Sequence, residues 1–294
     1  MAIKNFTIAD DDLEDLIHAY CRDYTDLCRK GRFDPITGRD VEIDQTVLIL
    51  LQKGRKNCCY LAPAGVGKTA LVVGLAQTIV AGNVPEYLKN ARVLEVDLAS
   101  MAAGTDSSAD FQGRFVPMCR GFAERYHYDE YPKFIIFFDE VHTIMPTATG
   151  SAYKGLSEVM KPYLTVGDLQ VLAATTLDEY RIHVAEDPAL DRRFQKIHLK
   201  VPDEQETFLI LQNLREGYEK HHHITIPDEC LELITRLTSQ HLRRRHQPDK
   251  SIIIMDAACA YAIKENGRGC TLTKWDVKYM LGKEANINPK ALDD

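Results

Sequence analysis

The apolar run Cys58, Cys59, Tyr60, Leu61 passes directly into Ala62-Pro-Ala-Gly-Val-Gly-Lys-Thr69, and this junction leaves the chain few folds to adopt. An unbroken apolar run suits a strand buried on both faces. The small residues that follow let the backbone curl so that its N–H groups point at phosphate oxygens. Ala64, Gly65, Val66 and Gly67 supply that cradle, with Ala70 just beyond it. Lys68 offers a cation to the β- and γ-phosphates, and the Thr69 hydroxyl offers a ligand to Mg²⁺. Residues 69–81 are expected as a helix, with Leu71, Leu75, Ile79 and Val80 as its packing face and Gly82 as its stop. The usual form of this loop begins with glycine. Here Ala62 stands at that position, and its methyl group is tolerated only at negative φ.

A second segment completes the pattern. Phe134-Ile-Ile-Phe-Phe138 reads as another strand buried on both faces, with Asp139 and Glu140 at its carboxyl end. Asp139 is placed to hold Mg²⁺, mostly through water, and Glu140 to polarise an attacking water as a general base. A small-residue turn alone, or an acidic strand end alone, is ordinary. Together they predict a protein that binds and hydrolyses a nucleoside triphosphate.

The rest of the chain divides into three stretches, expected at 1–33, 34–201 and 202–294. Leu13, Leu16, Ile17, Tyr20, Tyr24, Leu27 and Cys28 recur at helical spacing, so 10–33 reads as one helix ended by Gly31. Short apolar runs then alternate with helical patterns. The predicted strands are 58–61, 92–96, 134–138, 170–174 and 196–201, which implies an α/β core with a parallel five-stranded sheet between helices. From Pro202 the pattern is helical, giving a small all-α lid domain. Its helices are expected over 206–218, from a cap at Asp228 through Leu231, Ile234 and Leu237, from Pro248 through Ile252, Met255 and Cys259, and from a cap at Thr273 through Trp275, Val277 and Met280.

Composition removes several classes of function. A net charge of −7 argues against nucleic acid as the main partner, and the Arg243-Arg244-Arg245-His246 run reads as a solvated helix face. The 8 cysteines show no zinc or redox spacing, which suits free thiols in a reducing compartment. His221, His222 and His223 are adjacent, so they point apart and suit a surface cluster at a helix end rather than a metal site. There is no run long enough to span a membrane and no signal peptide at the N-terminus, so a cytoplasmic location is expected, with export by a signal-less route left open.

With these motifs in order, the chain resembles the first ATPase domain of the Clp/ClpB-type AAA+ unfoldases and disaggregases. The resemblance also rests on Asp34-Pro-Ile-Thr-Gly-Arg-Asp-Val-Glu-Ile43, Val80-Ala-Gly-Asn-Val-Pro85, Ala174-Thr-Thr-Leu-Asp-Glu-Tyr-Arg181, Leu190-Asp-Arg-Arg-Phe-Gln195 and Pro248-Asp-Lys250. It implies a P-loop AAA+ core with ATP and Mg²⁺ as ligands. It implies that Thr175 orients the attacking water, and that Arg192 and Arg193 act as arginine fingers on ATP held by a neighbouring subunit. It implies that Ile36 and Thr37, with Ile210, Leu214 and Pro248, wall the adenine. Fingers acting in trans require a head-to-tail assembly, so a homo-hexamer or a helical homo-oligomer is expected.

The family threads polypeptide with a tyrosine loop. Here the matching stretch is Asp110-Phe111-Gln112-Gly113, in which Phe111 takes the tyrosine's place and the flanking basic residues are gone. Residues 105–108 look inserted, and 146–153, with Tyr153, is a second candidate pore segment. The middle and N-terminal domains of the family find no match, so the chain is expected to be a stand-alone single-ring module, with an excised domain as the other reading. The leading function is an ATP-driven ring that remodels or unfolds a protein substrate. The alternative is an ATP-switched scaffold or adaptor that binds partners without threading them. A DNA-associated loader is disfavoured by the charge.

Overall fold

The computed structural model describes residues 6–105, 108–148 and 155–293. The second candidate pore segment, including Tyr153, and part of the apparent insertion lie largely outside these residues. The chain separates into two compact units. The first comprises residues 1–33, 41–62 and 68–198, and the second 34–40, 63–67 and 199–294.

The first unit is built on a six-stranded sheet: β1 (Cys21–Asp23), β2 (Asn57–Leu61), β3 (Arg92–Val96), β4 (Phe134–Phe138), β5 (Gln170–Thr175) and β6 (Phe194–His198). Their spatial order is β1-β3-β4-β5-β2-β6. The neighbours from β3 to β6 pair in parallel, as expected for strands separated by helices, and every residue of β2, β4 and β5 is buried.

The sixth strand departs from expectation. The single helix expected over 10–33 is instead α1 (Asp10–Tyr20), β1 and α2 (Tyr24–Arg29). Cys21, Arg22 and Asp23 leave helical geometry to pair antiparallel with Val96, Glu95 and Leu94. Arg92 fastens the turn by donating to Glu14 at 2.6 Å and to Asp23 at 2.9 Å. The last strand also shifts toward the N-terminus, ending at His198 rather than Val201. Its partner β2 ends at Leu61, opposite His198, and offers nothing further to pair with.

Helices α3 (Asp40–Leu50), α4 (Lys68–Val80), α5 (Leu98–Ala102), α6 (Ser108–Arg125), α7 (Leu156–Val166), α8 (Leu177–Glu179) and α9 (Pro188–Asp191) complete this unit. Successive strand residues face opposite sides. Cys59, Leu61, Ile136, Phe138, Val171 and Ala173 join a core with Leu13 and Ile17 of α1, Phe115, Met118 and Phe122 of α6, and Met160 and Leu164 of α7. On the other side, the Tyr60 hydroxyl lies 3.0 Å from that of Thr46 on α3, and Tyr24 of α2 meets the Phe137 ring. Helix α4 buries Leu71, Leu75 and Ile79 as expected, whereas Val80 is exposed at its end.

The second unit gathers α10 (Glu204–His222), α11 (Asp228–His241), α12 (Asp249–Asn266) and α13 (Lys274–Ala285) around Leu211, Leu231, Ile234, Leu237, Met255 and Cys259. Thr273 caps α13 in a reciprocal box with Asp276, as its position predicts. Asp228 is not the cap of α11. Pro227 holds that position, and Asp228 sits in the first turn, paired with Arg215 at 2.6 Å. The Arg243–His246 run lies in the exposed connection after α11 rather than on a helix face. All the cysteines are free, and no helix among the described residues is long and apolar enough to cross a membrane.

Candidate functional site

The phosphate-loop sequence begins where β2 ends. The Ala62 N–H donates to the Thr175 carbonyl on the neighbouring strand at 3.3 Å. Positive φ among the described non-glycine residues occurs at Glu140, His223 and Asn286, so Ala62 meets the condition its methyl group imposes. Lys68 opens α4 with its side chain buried, and its Nζ donates to the Ala62 carbonyl at 3.1 Å. The Thr69 hydroxyl donates to Asp139 Oδ2 at 3.2 Å, joining the start of α4 to the end of β4. The unit therefore places Lys68, Thr69, Asp139, Glu140 and Thr175 at the carboxyl ends of adjacent parallel strands, where ligands of open α/β sheets bind.

Glu140 leaves β4 in the left-handed region, at φ 52° and ψ 51°. A non-glycine residue pays in strain for that conformation, and such residues concentrate at functional sites. Burial, with Glu179 and Asp139 close by, raises its carboxyl above the ordinary value. Glu179 goes the other way. Burial alone would raise it, but hydrogen bonds from the Thr176 N–H, from the Thr176 and Thr175 hydroxyls, and the facing His142 together hold it low. Two neighbouring carboxyls pushed in opposite directions suit one proton acceptor and one fixed anion.

His142 and Glu179 were not singled out from the sequence. The available signal for Glu179 was Thr176-Leu-Asp-Glu179, a capping box at the start of α8, and the box is formed. Glu140, His142 and Glu179 each bring one donor atom within 4.8 Å of the others, a grouping open to a metal ion or to a hydrogen-bond network. Thr69 and Asp139 form a separate pair of oxygen donors.

The remaining expected residues of this unit lie apart from that centre or fall elsewhere. Arg192 ends α9 and is exposed; Arg193 is half-buried, with its Nε enclosed and lacking a hydrogen-bond partner. Neither is paired with Asp139 or Glu140 within the chain. Phe111 corrects the expectation of a gripping loop. It lies in the first turns of α6, is 4% exposed, and packs in the core with Phe115 and Met118. Burying a phenylalanine is worth about 1.5–3 kcal/mol, so the ring is held inward. Gly113 follows on the same helix and is exposed.

In the second unit, Val66 is buried and its carbonyl accepts from Arg39 Nη2 at 2.7 Å, while Ala64 and Gly65 are exposed. Gly65 has φ +80°, and a Cβ there would lie 2.8 Å from Asp249 Cβ at the start of α12, so glycine is required twice over. Ile36, Thr37, Ile210, Leu214 and Pro248 are all half-buried. Asn213 of α10 donates to the Thr37 hydroxyl at 3.3 Å.

Residues 58–201 match the model of the ATPase family associated with various cellular activities (AAA), and residues 203–276 match the AAA lid domain. The chain is 39% identical over 247 residues to the chaperone protein ClpB of Propionibacterium freudenreichii subsp. shermanii, covering 84% of this chain and 28% of that protein. It is 37% identical over 243 residues to ClpL, an ATP-dependent Clp protease ATP-binding subunit of Staphylococcus aureus, covering 82% of this chain and 34% of that one. The chain thus spans about a third of the length of these curated relatives. Among solved structures, the S. cerevisiae Hsp104:casein complex in its extended conformation matches with a TM-score of 0.83 and 31% identity, covering 95% of this chain and 47% of that one.

Proposed function

Since the chain belongs to the AAA ATPase family as a Clp-type AAA+ module, we propose that it binds and hydrolyses ATP and couples the cycle to remodelling or unfolding of a protein substrate. The observation that carries this reading is the Thr69–Asp139 contact at 3.2 Å, with Glu140 next in sequence and strained into the left-handed region. Lys68 and the loop amides of Ala64, Gly65, Val66, Gly67 and Ala70 hold the phosphates. Thr69 and Asp139 fit Mg²⁺, because a hydroxyl and a carboxylate give the all-oxygen donors that this cation favours. When bound with the nucleotide, Mg²⁺ supplies positive charge to the β- and γ-phosphate oxygens.

Glu140 accepts a proton from a water whose oxygen bonds to the γ-phosphorus. The bond from that phosphorus to the β,γ-bridging oxygen breaks, and ADP leaves with the electron pair. Thr175 orients the water. Ile36, Thr37, Ile210, Leu214 and Pro248 contact the base. Arg192 and Arg193 reach the ATP of a neighbouring copy, where a guanidinium on the transferring phosphoryl group contributes about 10³–10⁵ in rate. Neither has a carboxylate partner among the described residues, which supports that assignment. Acting in trans makes the working unit a homo-hexameric ring or a helical assembly.

A protein substrate is favoured over a passive scaffold by the similarity to a chaperone and to a protease ATP-binding subunit. The test is ATP turnover as a function of protein concentration, with light scattering on the same samples. Cooperative rise with concentration, a mass near six chains with Mg²⁺-ATP, and loss of turnover in Glu140→Gln are expected. Tight ATP binding by a persistent monomer without turnover would defeat the proposal.

A further inference from the structure

The imidazole of His142 faces three oxygens. Its Nδ1 lies 3.1 Å from the Thr175 hydroxyl, 3.3 Å from Glu140 Oε2 and 3.4 Å from Glu179 Oε2. The Thr175 hydroxyl donates its own hydrogen to Glu179 Oε2 at 2.9 Å. Toward His142, therefore, the Thr175 oxygen accepts, and Nδ1 must carry a hydrogen. With a hydrogen on Nδ1, His142 stands as a donor among the oxygens of Thr175, Glu140 and Glu179.

Glu179 Oε2 is also engaged by the Thr176 N–H at 3.0 Å and the Thr176 hydroxyl at 2.8 Å. With those donors already on Glu179, the Nδ1–H is directed to the Thr175 oxygen, and Glu140 Oε2 lies 3.3 Å from the same nitrogen. The ring itself is backed by His183, stacked at 5.9 Å and 26°, whose Nδ1 is met by the Thr147 hydroxyl at 2.8 Å. His142 follows β4 and Glu179 follows β5, so the network ties together the ends of the two strands that carry Glu140 and Thr175.

We infer that His142 and Glu179 are a coupled pair of positioning residues for hydrolysis: Glu179 fixes the Thr175 hydroxyl and the tautomer of His142, and the His142 Nδ1–H holds one oxygen of Glu140 so that the other faces the attacking water. This rests on the reading of Glu140 as the base. Neither residue touches the nucleotide; both act through Glu140 and Thr175. Outer partners that orient a functional group carry effects of about 10- to 100-fold, because a small misplacement of the reacting groups is costly.

The experiment measures kcat and KM for ATP, calorimetric ATP affinity and melting temperature on the full chain. The set is wild type, Glu140→Gln, His142→Phe, His142→Asn, Glu179→Gln and the His142→Phe/Glu179→Gln double variant. Phenylalanine keeps the stack on His183 without a donor, while the asparagine amide restores an N–H near the Nδ1 position. The expected result is a kcat about 10- to 100-fold lower in His142→Phe, with KM and ATP affinity within about two-fold. Substantial recovery in His142→Asn is also expected, with the double variant little worse than either single.

The inference is overturned if wild type turns over ATP, Glu140→Gln is inactive, and His142→Phe keeps kcat within about two-fold of wild type. It is equally overturned if asparagine rescues nothing and both His142 variants lose melting temperature in proportion to activity, a purely structural role. Wild-type protein that binds ATP without turnover removes the hydrolytic reading itself, and this inference with it, and is told apart by the inactive parent.

Discussion

The strand ends around Glu140 and the first turns of α6 around Phe111 were both marked by motif, and the folded chain treats them differently. At the strand ends the marked residues converge: Thr69 on Asp139, Lys68 on the Ala62 carbonyl, Thr175 within reach of His142 and Glu179. At α6 the marked aromatic turns inward and becomes core. A parallel sheet leaves its carboxyl ends little freedom, because each is the exit of a strand paired on both sides. The start of a helix has no such neighbours, and an apolar ring there goes wherever it can be buried.

Four substitutions would break or sharpen this contrast. Glu140→Gln is expected to have the largest effect, lowering ATP turnover by about 10²–10⁴-fold with melting temperature unchanged or raised; steady-state kinetics beside calorimetry checks it. Phe111→Ala is expected to cost about 3–5 kcal/mol of stability, read by denaturant unfolding, because it empties a packed site. A loss of substrate processing at full stability would instead restore Phe111 as a gripping residue.

Gly65→Ala comes next. Its positive φ and the close Asp249 Cβ predict strain of about 1–3 kcal/mol, seen as ATP affinity weakened by about 10-fold or more in titration calorimetry. Unchanged affinity would mean that the loop relaxes freely. The smallest effect is expected for Ala62→Gly, which restores the usual first residue of the loop. Because Ala62 is buried at negative φ, glycine should cost about 0.4–1 kcal/mol of stability and leave turnover within about three-fold. A large gain in turnover would show that the methyl group restrains the wild-type loop.

The sheet was legible where short apolar runs mark its buried strands. Phe134–Phe138 and Arg92–Val96 fall at their expected bounds, and β2 and β5 differ by one residue at one end. Cys21–Asp23 was not legible, because its residues continue the helical spacing of Leu13, Ile17 and Tyr20. Only the pairing with β3 pulls them out of it, a tertiary contact overriding local preference.

The same division holds in the site. Lys68, Thr69, Asp139 and Glu140 announce their chemistry by sequence neighbours. His142 and Glu179 acquire theirs only when β4 and β5 lie side by side, since 37 positions separate them in the chain. Phe111 was read as part of a loop because it takes the tyrosine's place in the family's pore stretch, whereas it packs on the helical face that Phe115, Met118 and Phe122 continue.

The two compact units are threaded through one another along the chain: residues 34–40 and 63–67 are counted with the second unit although residues of the first flank each of them. No single cut in the coding sequence can therefore deliver either unit whole. A fragment beginning at Leu199 would carry α10 to α13 yet leave behind Arg39, and the Val66 carbonyl it holds, together with the glycine loop that meets Asp249. Swapping lids between related chains by a simple junction would inherit the same deficit, so a working chimera has to exchange three separated stretches at once.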